Sequence, residues 1–141
     1  MKTKSFAAIG LLSIILVLSS CNGSGGQSGA DKTIKSTQAG NLTVTLASST
    51  GDLKSGDNDL YLTFADSSGK PVDVGAASLK FRMPAMGSMA EMNDDATLTT
   101  TTTPGRYHAK VNIEVSGSWE AMVSYEGPHG KGQASMSVQA K

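Results

Sequence analysis

Tyr107-His-Ala-Lys-Val-Asn-Ile-Glu-Val115 is the stretch whose reading decides the fold. Tyr107, Ala109, Val111, Ile113 and Val115 alternate with His108, Lys110, Asn112 and Glu114. A side-chain period of two, apolar on one side and polar on the other, marks a strand with one face on a core and one in water. Pro104-Gly105 turns the chain into it and Ser116-Gly117 turns the chain out.

The same period recurs on both sides. Downstream, Trp119, Ala121, Val123 and Tyr125 alternate with Glu120, Met122 and Ser124. Gly127-Pro-His-Gly130 is a loop, and Ala134, Met136 and Val138 mark a last strand. Upstream, Leu42-Thr-Val44-Thr-Leu46 and Leu60-Tyr-Leu62-Thr-Phe64 alternate cleanly. Between and after them, Ser48–Gly51, Lys54–Asn58 and Asp66–Pro71 are turns. Val72 and Val74 suit a short edge strand. Ser78 to Met83 places Leu79, Phe81 and Met83 on one face and Lys80 and Arg82 on the other. Ala96 to Thr103 is threonine-rich, with Leu98 as its anchor, and β-branched threonine suits a strand with one wet face. No helical period and no internal repeat occur. The pattern predicts an all-β fold, an immunoglobulin-like antiparallel β-sandwich of about seven strands. An open barrel is the second choice.

The N-terminal segment reads as targeting rather than fold. Lys2 and Lys4 precede an apolar run from Phe6 to Leu18, too short to span a bilayer and suited to a signal peptide. Leu18-Ser-Ser-Cys21 resembles the bacterial lipobox, in which cleavage before the cysteine leaves its sulfur carrying a diacylglycerol. Residues 1–20 are therefore expected to be a lipoprotein signal peptide, with Cys21 lipidated and the chain held on the outer side of a membrane. Cys21 is the sole cysteine, so no disulfide is expected. Residues 21–40, rich in Gly, Ser, Gln and Lys with one isolated Ile34, read as a flexible tether. Residues 41–141 form the domain. Losing Lys2 and Lys4 leaves ten basic against twelve acidic side chains, a formal charge of −2. That balance excludes a nucleic-acid partner of the usual basic kind. The membrane contact is expected through the anchor.

Met83-Pro-Ala-Met86-Gly-Ser-Met89-Ala-Glu-Met92 holds four of the seven methionines, each three positions from the next. Thioether sulfur is a soft donor suited to Cu(I) and needs no deprotonation. Pro84 and Gly87 argue against a helix. An extended polyproline-II path would put all four sulfurs on one side. A tight loop would gather two or three. Met83 continues the inward parity of Leu79 and Phe81, so it belongs mainly to the core. Met92 sits beside Glu91 and Asp94-Asp95, read as a polar turn. Met86 and Met89 remain, either as metal ligands or as an apolar cap. His108 and His129 are the candidate nitrogen ligands. His108 points to solvent by parity and has no carboxylate nearby in sequence to orient it. His129 sits in a loop built to present one side chain. Their separation has no zinc spacing. Trp119 is expected as the plug between sheets and Tyr107 as structural, its hydroxyl on a backbone group. There is no GxGxxG, P-loop or GxSxG, and no nucleophile with a supporting triad, so no catalytic residue is expected.

Asp66-Ser-Ser-Gly-Lys-Pro-Val72, Phe81-Arg-Met-Pro-Ala-Met-Gly87, Pro104-Gly-Arg-Tyr107 and Gly117-Ser-Trp119, in that order, resemble the YtkA-like / FixH-like family over residues 42–139. The resemblance implies a small extracytoplasmic β-sandwich. FixH-like members are linked with copper-transporting machinery of respiratory oxidases, which implies a copper-related role. FixH-like proteins carry a membrane helix where this chain has the lipobox. Two functions follow as expectations. One is a lipid-anchored, non-catalytic domain that binds or passes Cu(I) through Met86 and Met89, with Met83 and His108 or His129 as further ligands. The other is a metal-free module whose methionine lip docks on an envelope transport or respiratory complex.

Overall fold

The computed structural model describes residues 31–141. The expected signal peptide, Cys21 and the first part of the expected tether lie outside the described residues. Nine strands follow in order: β1 (Lys32–Ala39), β2 (Leu42–Ser48), β3 (Gly56–Ala65), β4 (Ala76–Met83), β5 (Met92–Asp95), β6 (Thr97–Thr100), β7 (Arg106–Ile113), β8 (Gly117–Gly127) and β9 (Gly130–Ala140). They form a five-stranded sheet, β1-β2-β3-β7-β6, and a four-stranded sheet, β5-β4-β8-β9. Every paired neighbour within them is antiparallel. The fold is the expected β-sandwich, with nine strands among the described residues rather than about seven.

Parity builds the core. Val44, Leu46, Leu60, Leu62, Phe64, Tyr107, Ala109, Val111 and Ile113 line the inner face of the first sheet. Leu79, Phe81, Met83, Trp119, Ala121, Val123, Tyr125, Met136 and Val138 line that of the second. Phe64 meets Tyr107 and Tyr125 edge-to-face, with ring centroids 5.9 and 5.4 Å away. Trp119 is 1% exposed, and its indole N–H donates to the Val115 carbonyl at 3.0 Å. The buried Tyr107 hydroxyl donates to the Gly75 carbonyl at 2.8 Å, as its inward parity required.

Three expectations are corrected. Residues 32–39, assigned to the tether, form β1 and pair with β2 from Lys32↔Ser48 to Ala39↔Leu42. An edge strand needs only backbone pairing and a few inward anchors, here Ile34 and Ala39. Its polar composition therefore hides it. Asn93-Asp94-Asp95, read as a turn, belongs to β5 and pairs with Arg82, Phe81 and Lys80 of β4. Val72 and Val74 form no strand. Pro71 makes one isolated bridge to Ala65, while Val74 is fully buried as a loop plug.

Chain direction fixes the two ends of the sandwich. β8 runs antiparallel to β4, with Arg82 opposite Glu120 and Ala76 opposite Glu126. The connection from β4 to β5 therefore leaves at the end where β7 gives way to β8. The β8–β9 turn lies at the other end.

Candidate functional site: a methionine hairpin

The β4–β5 connection is a hairpin, and its symmetry gives meaning to the three-residue methionine spacing. Met83 pairs with Met92 at the base, and Met86 pairs with Met89 at the tip. The register is continuous through both pairs. At the tip the Met86 N–H donates to the Met89 carbonyl at 3.1 Å, and the Met89 N–H donates back to the Met86 carbonyl at 2.9 Å. Gly87 and Ser88 are the two central residues, and Gly87 has φ +56°. Two-residue hairpin turns of the primed types need a positive φ at the first central position, which glycine supplies without strain.

Directly paired residues project their side chains from the same face of a hairpin, with Cβ atoms about 5 Å apart. The four methionines are thus two cross-strand pairs and not a stripe. Met83 is 3% exposed, and Met92 is half-buried against the core. Met86 and Met89 are 58% and 47% exposed. The polyproline-II arrangement does not occur, because β4 and β5 fold back on each other.

The histidines are elsewhere. His108 lies on β7 opposite Tyr61 and Thr99, on the outer face of the five-stranded sheet. Its ring sits 5.3 Å from that of Tyr61, and its Nε2 is 3.0 Å from Asp59 Oδ1. The carboxylate partner that sequence proximity lacked comes from the neighbouring strand. His129 is exposed in the two-residue turn between Gly127 and Gly130. That turn is at the far end of the four-stranded sheet, roughly 30 Å away along β8 at about 3.3 Å per residue. Strand register therefore separates both histidines from the methionine tip, and burial separates Met83 from it. Among the described residues no group of three or more His, Cys, Asp or Glu converges as a metal site.

Sequence reasoning missed the polar residues at the hairpin base. Arg82 Nε and Nη2 donate to Glu91 Oε2 at 3.1 and 2.9 Å, and Asn93 Nδ2 donates to Glu91 Oε1 at 3.1 Å. These bonds hold the Glu91 carboxyl below its ordinary range. The Arg82 hydrogen bond is the largest cause, followed by that of Asn93 and then the Arg82 charge. Arg82 also faces Glu120 of β8 at 3.7 Å. The outward parity of Arg82 was legible, but its partner required the β4–β5 register.

Residues 36–124, more than half of the chain, match the YtkA-like family, and the match takes in the whole methionine hairpin. The chain belongs to the YtkA-like family. Comparison with curated proteins and with solved structures returns no match. The family match of this YtkA-like domain starts within β1 and ends within β8, so β9 lies beyond it. No helix among the described residues is long and apolar enough to cross a membrane.

Proposed function

We propose that this YtkA-like chain is a lipid-anchored, extracytoplasmic, non-catalytic domain that holds copper as Cu(I) on Met86 and Met89, in metal homeostasis or respiratory oxidase assembly. The observation that carries the reading is the exposed cross-strand pair at the hairpin tip. Two neutral thioethers on one face match the donor preference of a soft monovalent ion, and they stay competent over a wide pH range. A two-donor site suits holding and release more than permanent storage. Met83 keeps a packing role. The lipobox-like Leu18-Ser-Ser-Cys21 supports the anchor, and the family supports an extracytoplasmic setting.

A second reading rests on the same exposure. An apolar, adaptable methionine lip suits docking on an envelope transport or respiratory complex without metal. Cu(I) titration against a competing chelator separates the two readings. The full chain carrying Cys21→Ser, which removes the thiol, is compared with the same chain carrying Met86→Ala and Met89→Ala. The copper reading expects clear affinity in the first and its loss in the second. Equal behaviour of the two refutes it and leaves the docking reading.

A further inference from the structure

The hairpin that carries Met86 and Met89 has a weak neck. The β4–β5 ladder stops at Met83↔Met92, and the backbone pairs again at Met86↔Met89. Between them lie Pro84 and Ala85 on one arm and Ala90 and Glu91 on the other, all exposed. Pro84 has no N–H to give. The two hydrogen bonds at the tip close the turn but do not tie it to the sandwich. A Cβ built on Gly87 would meet nothing within 4 Å, so among the described residues no other element braces the tip there.

Side chains span the neck instead. Glu91 belongs to the returning arm. Its Oε2 accepts from Arg82, on β4, and its Oε1 accepts from Asn93, on β5. Arg82 in turn faces Glu120, on β8, which links the group to the body of the sheet. The guanidinium fork engages Glu91 with two N–H groups, which fixes orientation as well as distance.

We propose that Arg82, Asn93 and Glu91 form a clamp that positions the Met86–Met89 tip, with Glu120 anchoring Arg82. The proposal rests on the tip being the functional site and adds the residues that hold it in place. Ion pairs this exposed contribute little to global stability. What the clamp restricts is the local freedom of a neck that lacks ladder hydrogen bonds. Its residues are positioning residues, acting on the thioethers through the returning arm.

The test uses the full chain with Cys21→Ser, labelled with 13C at the methionine methyls, in detergent micelles. The variants are Arg82→Gln, Glu91→Gln and the conservative Arg82→Lys. The expected result is that Arg82→Gln and Glu91→Gln move the Met86 and Met89 methyl signals to sharp, averaged positions. The Met83 and Met136 signals stay in place. Arg82→Lys, which keeps the charge but loses the fork, restores part of the order. Cu(I) affinity falls by about tenfold or more in the Gln variants, the scale seen when groups that orient metal ligands are removed. Unchanged Met86 and Met89 signals in both Gln variants overturn the clamp. Should Arg82→Gln disturb Met83 as well, Glu91→Gln, which leaves Arg82 on Glu120, decides by the same signals. The methyl readout needs no copper. A wild type that fails to bind Cu(I) therefore sinks the copper reading, while the clamp is judged on the spectra alone.

Discussion

Replacing Met83 by alanine and Met86 by alanine should have very unequal consequences, although both changes delete the same atoms. Met83 is 3% exposed, and its Cε lies so close to Gly117 that a Cβ there would sit 3.0 Å away. Met83→Ala removes roughly three methylene-sized groups from the core at about 0.8 kcal/mol each, or about 2.4 kcal/mol of transfer free energy. Incomplete collapse of the space beside Gly117 adds to this, and buried Met→Ala changes cost about 2–5 kcal/mol in all. Each kcal/mol is worth about 4–8 °C of Tm in a domain of this size, so the midpoint should fall by at least about 10 °C. Met86 is 58% exposed at the hairpin tip, and its truncation should stay within about 0.5 kcal/mol. Thermal and urea denaturation followed by circular dichroism reads both variants. The assignment of the two methionine pairs to packing and to exposure fails if Met83→Ala melts within 2–3 °C (roughly 0.5 kcal/mol) of wild type. It fails equally if Met86→Ala loses as much as Met83→Ala.

Two further outcomes follow from contacts elsewhere. Gly105 has φ +77°, and a Cβ there would fall 2.1 Å from the Val72 carbonyl oxygen. Gly105→Ala should therefore cost more than about 3 kcal/mol from backbone strain and overlap together, seen as a collapse of soluble yield and of the urea midpoint. Tyr107→Phe deletes the 2.8 Å bond to the Gly75 carbonyl and should cost about 1 kcal/mol at neutral pH. Burial first, and the nearby Asp73 charge second, raise the Tyr107 phenol above its ordinary 10.0. A phenol that holds its proton more tightly when folded contributes stability below that ordinary value. The contribution is lost as pH climbs through the raised folded value. Wild type should thus lose stability in alkali more steeply than Tyr107→Phe, and parallel pH profiles of the urea midpoint would refute this.

Much of the sandwich was legible because its central strands bury one face and wet the other. Ala109, Val111 and Ile113 on β7, and Trp119, Ala121 and Val123 on β8, carry the period of two in their own side chains. The inward reading of Met83 rested on that same period and agrees with its burial. The strands that escaped notice, β1 and β5, lie at sheet edges. Their side chains are mostly exposed or half-buried, and backbone pairing holds them, which composition does not encode. For the candidate site, Met86 and Met89 could be singled out as the exposed methionines of the Met83–Met92 segment, but not paired.

The sequence by itself determined the class, the parity of the core and the exclusion of a helix at Pro84 and Gly87, because each depends on local periodicity or on one residue's backbone preference. Only the tertiary structure decided the rest. The continuous β4–β5 register turned four evenly spaced methionines into a pair packed on the core, Met83 buried and Met92 half-buried, and an exposed pair at the tip. It also brought Arg82 to Glu91. Strand order put His108 in the other sheet from the methionine hairpin and His129 at the opposite end of its own. Register and strand order arise from pairing between distant segments, so no single stretch of the chain carries them.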